Sequence, residues 1–138
     1  MGTTGHNTGM AGEFHAMEIL HRLGHQPALT LGNAKTIDIL SKAPAPSKKV
    51  YEVSVKAIRG GGKWGIGKED YSDRKNLVFM LFLYKSFEDI NMLPDVWIIP
   101  AIDANRIKRP WHNQYGLYLY KEFAHLLEPY KNAWKYLA

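Results

Sequence analysis

The stretch Tyr51-Glu52-Val53-Ser54-Val55-Lys56, YEVSVK, decides how this chain is read. Successive side chains of a strand point to opposite sides, so Tyr51, Val53 and Val55 share one face and Glu52, Ser54 and Lys56 the other. The pattern predicts a strand from Val50 to Ile58, apolar on one side. A polar face carrying a carboxylate, a hydroxyl and an ammonium is either a solvated surface or part of a site.

Working outward, "NAKTIDIL" predicts a strand from Lys35 to Leu40, in which Asp38 points away from Ile37 and Ile39. The proline-broken loop "SKAPAPSKK" follows. A hairpin of this strand with the next puts Asp38 on the face of Glu52, Ser54 and Lys56. A short strand is expected at Ala28 to Leu31. Further upstream, Met10, Phe14, Met17, Leu20 and Leu23 recur at helical spacing, widened by Ala11 and Ile19. They predict a helix from Met10 to Leu23, stopped by Gly24 and carrying Glu13 in its first turn. Residues 1–9 are small and polar and are read as mobile.

Downstream, "RGGGKWGIGK" holds five glycines and is read as a flexible loop presenting Arg59, Lys63 and Lys68. "NLVFMLFLY" is apolar on both faces, as a strand covered on both sides must be. "DVWII" is another strand, closed by Pro100, and Asp103 is expected to cap a short helix reaching Ile107. Phe123, Leu126, Leu127, Tyr130, Trp134 and Leu137 are spaced helically, with Pro129 opening a new helix. Residues 108–138 are therefore read as a C-terminal helical extension. The order of elements predicts an α/β fold: one domain over residues 1–138, with a mixed central sheet flanked by helices.

Composition narrows the function classes. A chain of 138 residues suffices for one domain, and 46% hydrophobic with 22% charged residues is ordinary for a globular one. No apolar run approaches the roughly 20 residues that cross a bilayer. "MGTTGHNTGMAGEF" lacks the basic start and apolar core of a secretory signal. With no cysteine, disulfides and thiolate metal sites are excluded. The expectation is a cytoplasmic protein without a membrane partner. The formal charge is +5, and it is concentrated: Ser47 to Lys75 holds eight Lys or Arg against four acids. A basic zone of that kind suits a polyanion, since attraction to phosphates is the sequence-independent part of nucleic-acid binding.

Glu13, Asp38, Glu52 and Lys56 are the residue types that phosphodiester hydrolysis requires. Two or three oxygen ligands hold a hard divalent cation that keeps several waters. Such a cation polarises the phosphate and lowers the pKa of an attacking water. A lysine beside the carboxylates orients that water and offsets developing charge. The ordered set is the Glu of "GMAGEF", the Asp of "TIDIL", and "SVK" at Ser54 to Lys56, followed by "NLVFMLFLY" and "PDVWIIPA". It resembles the PD-(D/E)xK nuclease superfamily over Gly9 to Ala101. The resemblance implies a restriction endonuclease-like core, Asp38 as metal ligand, Lys56 as catalytic lysine and Glu13 as auxiliary ligand. It further implies Mg²⁺ or Mn²⁺ as cofactor and DNA as substrate, with a homodimer to cut both strands.

Ser54 departs from that pattern, standing where the superfamily carries a second acidic ligand. Glu52 is on the same face but about 6–7 Å further along the strand. Some members read Ser-x-Lys and take the carboxylate from a helix about a dozen residues later, where this chain has Glu69 and Asp70 in "GKEDYS". The third possibility is a single ion held by Asp38, Glu13 and the Val55 carbonyl. Arg59, Lys63 and Lys68 are expected to hold phosphates, and Trp64 either stacks on a base or packs on the sheet. "GGGKWG" is not a phosphate-binding P-loop, because no Lys-Ser/Thr follows a properly spaced glycine. His21 and His25 are four apart but divided by Gly24, which argues against a zinc pair on one helix. "WHNQYGLYLY", Trp111 to Tyr120, is read as packing. Two rival readings stand beside the nuclease: a non-catalytic nucleic-acid-binding module on the same fold, and a protein-interaction domain.

Overall fold

A computed structural model describes residues 3–30, 37–120 and 122–138. The chain is an α/β domain with a mixed five-stranded sheet, a second three-stranded sheet and helices at both ends. Helix α1 spans Thr3–Arg22, β1 Gln26–Leu29, β2 Ile39–Lys42, β3 Val50–Arg59, β4 Lys63–Gly67, β5 Leu77–Tyr84 and β6 Asp95–Pro100. Helix α2 is Ala101–Ile107, β7 Arg109–Trp111, β8 Gln114–Tyr118 and α3 Ala124–Leu127, and two short 3-10 turns close the chain at Glu128–Tyr130 and Trp134–Leu137.

The large sheet has the order β1-β2-β3-β5-β6. Strands β2 and β3 form the expected antiparallel hairpin, with Ile39 opposite Val53 and Lys42 opposite Val50. Strands β3 and β5 run parallel, with Ser54 opposite Phe79 and Lys56 opposite Leu81. A parallel pair needs a long crossover, and the chain from Gly60 to Asn76 supplies it. The strict period of β5 divides the interior in two. Val78, Met80 and Phe82 enter a core with Tyr51, Val53, Val55, Val96 and Ile98, covered by Ala16 and Leu20 of α1. Leu77, Phe79, Leu81 and Leu83 enter the opposite core with Trp97 and Ile99, covered by Trp64, Ile66 and Leu117 of the small sheet. Each such side chain withdrawn from water contributes about 1.5–3 kcal/mol. That explains why β5 carries no polar side chain before Tyr84.

Helix α1 seats closely. A Cβ at Gly12 would lie 2.8 Å from the Ala57 Cβ, so only glycine lets the helix approach β3 this near. The helix also begins at Thr3, well before the apolar spacing starts at Met10. Its first turns are anchored by polar contacts that periodicity does not register. Thr8 is buried, donates to the Thr4 carbonyl and accepts from Arg59 Nε at 2.7 Å. The chain end is held likewise: His25 contacts Ser41 Oγ at 2.8 Å and the Leu137 carbonyl at 2.6 Å, and the Tyr51 hydroxyl donates to the Ala138 carbonyl.

Several expectations are corrected. "RGGGKWGIGK" is not a loop throughout: Lys63–Gly67 is β4, with Trp64 and Ile66 turned into the core. Its Gly65 is explained by close approach and not by mobility. A Cβ there would meet Trp111 and Gln114 at 2.8 Å each. Residues 108–138 are not a helical extension, because Arg109–Trp111 and Gln114–Tyr118 are strands of the small sheet, ordered β4-β8-β7. Asp103 does not cap α2; Pro100 is the N-cap without a side-chain bond, and Asp103 lies in the first turn. Leu31 and the start of the strand expected at Lys35 lie outside the described residues. Among the described residues no helix is long and apolar enough to cross a membrane.

Candidate active site

Beyond Val53, β3 loses its neighbour. Strand β2 pairs with Val50 to Val53, whereas β5 accompanies β3 as far as Arg59. From Ser54 onward one edge of β3 has no strand partner among the described residues. Asp38 and Lys56 meet there, and Glu13 lies close enough to Asp38 for their charges to interact. Asp38 lies in a bend one residue before β2, and its Oδ2 accepts the Val55 backbone N–H at 2.7 Å. The carboxylate thus satisfies a donor that the shortened ladder leaves over, which alone would retain an acid at this position. Glu13 comes from α1 and Lys56 from β3.

Asp38 interacts with the charges of both Glu13 and Lys56. Burial raises the Asp38 carboxyl above its ordinary value, opposed by the Val55 N–H and the Lys56 charge. Burial also raises Glu13, the Asp38 charge raises it further, and His6 lowers it. Two partly desolvated carboxylates that repel one another form a pair to which a cation is complementary. Lys56 is half-buried and forms no ion pair among the described residues.

Ser54 is fully buried, and its Oγ has no hydrogen-bond partner among the described residues. Buried hydroxyls are nearly always paired, and an orphan requires a reason. Ser54 lines a cavity of about 230 Å³ with Lys56, Ile66, Gly67, Lys68, Glu69 and Tyr71. Of the three carboxylates weighed as substitutes for the missing acid, Glu69 alone lines this cavity. Glu52 is turned into a different groove, with Leu40, Val50 and Arg74, and lies 3.4 Å from the Arg74 guanidinium. Asp70 is exposed at a turn. Its Oδ1 accepts from the Ser72 backbone and from Asn105, and these bonds hold its carboxyl below the usual range. Glu69 also pairs with Arg74, so one arginine binds Glu52 and Glu69 together.

The expected phosphate-holding residues separate. Lys68 is exposed at the mouth of the cavity. Lys63 projects from β4 with Nζ over the Trp111 ring, 4.7 Å from its centre. Arg59 stacks on Phe87 at 3.7 Å and donates to Thr8, so it serves the packing of α1. Trp64 is corrected as a base-stacking candidate. It is 1% exposed, its indole N–H donates to the Phe82 carbonyl at 3.1 Å, and its ring meets Trp97 edge-on. His25 is buried with both ring nitrogens bonded, so it is no partner for His21 on a metal.

Sequence reasoning missed the β7–β8 hairpin as a surface. The signal was present in "KRPWHNQYGLYLY", where Lys108 and Arg109 precede a run of aromatic residues and residues 104–121 hold no acid. Among the described residues no three His, Asp or Glu side chains cluster as a ready-made metal cage. In comparisons with known proteins, no family model, no curated protein and no solved structure matches this chain.

Proposed function

We propose that this protein is a metal-dependent nuclease that hydrolyses DNA phosphodiester bonds on a restriction endonuclease-like core. The observation that carries the reading is the interaction of Asp38 with the charges of both Glu13 and Lys56 at the unpaired edge of β3, with both carboxyls raised above their ordinary values. The donor set suits Mg²⁺ or Mn²⁺, hard ions that take one or two carboxylates and complete their shell with water. A site of two carboxylates, the Val55 carbonyl and water therefore needs no third acid. When bound, the ion would supply Lewis acidity to the phosphate and a more acidic water.

The chain's own groups would divide the remaining work. Asp38 and Glu13 hold negative charge at one point. Asp38 is itself fixed by the Val55 N–H. Lys56 lends a positive charge at the same place, to orient a water and offset charge building on the phosphate. Ser54 offers a hydroxyl with no other partner among the described residues. Glu69 is the one of the three candidate substitutes that lines the cavity with Ser54 and Lys56, and it would serve the site only on release from Arg74. Cutting a duplex on both strands would require two copies.

A second reading is a non-catalytic nucleic-acid-binding module. Ser54 in the acidic position and the engagement of Glu69 by Arg74 favour it. One experiment separates the two: cleavage of supercoiled plasmid and labelled branched DNA with Mg²⁺ or Mn²⁺, beside Asp38→Ala and Lys56→Ala. Cutting that both variants lose supports the nuclease. A parent that retains DNA in a salt-sensitive way and never cuts overturns it in favour of the binding module.

A further inference from the structure

We propose that the β7–β8 hairpin, with Lys68 as its link to the cavity, holds a single nucleic-acid strand and seats an unpaired base against Tyr115. The nuclease reading enters only in what stands at the other end of the path, where Lys56 lies; strand binding at the hairpin is a separate property.

Three observations converge. First, the surface is continuous. Lys68 lines both the cavity with Ser54 and Lys56 and a groove of about 400 Å³ with Pro110, His112, Asn113, Gln114 and Tyr115. A chain of phosphates leaving Lys56 therefore meets Lys68 and then the hairpin. Second, the groove is built and not a loose loop. Gln114 Oε1 accepts the Gly67 backbone N–H at 2.9 Å, which ties the hairpin to the end of β4 beside Lys68. The Trp111 ring lies across Gly65 and Gly116, where a Cβ would come within 2.8 and 3.3 Å of it.

Third, the hairpin face carries positive charge with a carboxylate only at its base, where Asp70 acts on Lys108. With no acid between residues 104 and 121, the cations of this face rest on aromatic rings. Lys63 lies over Trp111, Lys108 over Tyr115 at 4.2 Å and Arg109 over Phe123 at 5.4 Å. A cation on a ring keeps its full charge, so the face stays positive. The nearest carboxylates, Glu69 and Asp70, sit at its base; Lys108 Nζ donates to the Glu69 carbonyl and to Asn105. Tyr115 is 36% exposed, with Lys108 over one face of its ring and the other face left for a base. Positive charge that tracks a backbone, next to an exposed aromatic face, is the pattern that binds single strands. It differs from the site that the sequence suggested for stacking, Trp64, which is enclosed.

The test is fluorescence anisotropy with a labelled single-stranded oligonucleotide and its duplex, in EDTA so that cleavage cannot contribute. The chains are the parent, Tyr115→Ala, Tyr115→Phe, Lys68→Ala and, as a distant control, Lys135→Ala. Expected are single-strand binding weakened roughly fivefold or more by Tyr115→Ala, near-parental binding by Tyr115→Phe, and a salt dependence reduced by about one counterion in Lys68→Ala. Lys135→Ala should bind as the parent does. If the parent binds and Tyr115→Ala and Lys68→Ala bind equally well, the hairpin is overturned while the nuclease reading stands or falls on its own cleavage assay. If the parent binds neither oligonucleotide, the hairpin is overturned as well.

Discussion

Two pairs of acids flank β3, and they are treated oppositely. Glu52 and Glu69 share the Arg74 guanidinium and are neutralised. Glu13 and Asp38 act on each other, offset among the described residues by His6 and Lys56 respectively, and both carboxyls are raised. The boundary between the two arrangements is the point where β2 stops accompanying β3. Where the strand is paired on both sides its acid is absorbed into the structure; where one edge is open the acids keep unspent charge. The difference teaches that carboxylates near a lysine strand are not equivalent candidates. Those without a cation of their own have affinity left for something else.

The largest expected effect tests whether the unneutralised pair does chemistry. Asp38→Ala and Lys56→Ala should each lower the rate of metal-dependent DNA cleavage by about a hundredfold or more, read from plasmid relaxation time courses. Glu52→Ala should leave it within a few fold. A Glu52 variant as inactive as the Asp38 variant would erase the distinction between the two pairs.

Arg74→Met comes next, in folding stability. It keeps much of the side-chain length and leaves Glu52 and Glu69 without their cation, and the loss should be about 1–2 kcal/mol for partly exposed pairs. The urea midpoint of the parent and the variant decides it. No change would mean that the Arg74 network is a surface ornament.

The third prediction has a sign set by the raised carboxyls. Groups raised on folding contribute stability below their ordinary values, 3.8 for Asp38 and 4.5 for Glu13, and lose it as pH rises through the folded values. At neutral pH, in EDTA, the ionised pair is therefore a burden on the fold. Asp38→Asn, which still offers an oxygen to the Val55 N–H, should melt higher than the parent at pH 7 and gain nothing at pH 3. Asp38→Ala should not share the benefit, because it forfeits that bond, worth about 1 kcal/mol. A parent more stable than Asp38→Asn at pH 7 would break the comparison.

The smallest effect belongs to Ser54. Its Oγ has no partner among the described residues, so Ser54→Ala should change stability by no more than about 1 kcal/mol, in the stabilising direction if at all. If cleavage falls in a variant of unaltered melting temperature, the hydroxyl serves the site. If both are unchanged, it serves neither.

Much of the large sheet was legible in the chain. The alternation in "VYEVSVKAI" and the two-sided apolar run "NLVFMLFLY" became β3 and β5, with the faces assigned as the pattern required. The small sheet was not legible. Glycines in "RGGGKWGIGK" suggested mobility, yet Gly65 is small because Trp111 and Gln114 press on it from more than 45 residues away. For Trp64 the chain left stacking on a base and packing on the sheet both open, and its core position decides for packing. The start of α1 was missed because Thr8 and Arg59, and not an apolar stripe, hold it.

The sequence by itself determined which faces of β3 and β5 are apolar and which residue types could do hydrolytic chemistry, because strand alternation and side-chain chemistry are local properties. Only the tertiary structure decided which acids are spent. Arg74 follows Glu52 by 22 positions and takes up both Glu52 and Glu69, while α1 and the bend at Asp38 bring Glu13 and Asp38 close enough for their charges to interact, with no ion pair to either among the described residues. Charge compensation depends on distance in space, and in this domain the end of one short strand sets that distance.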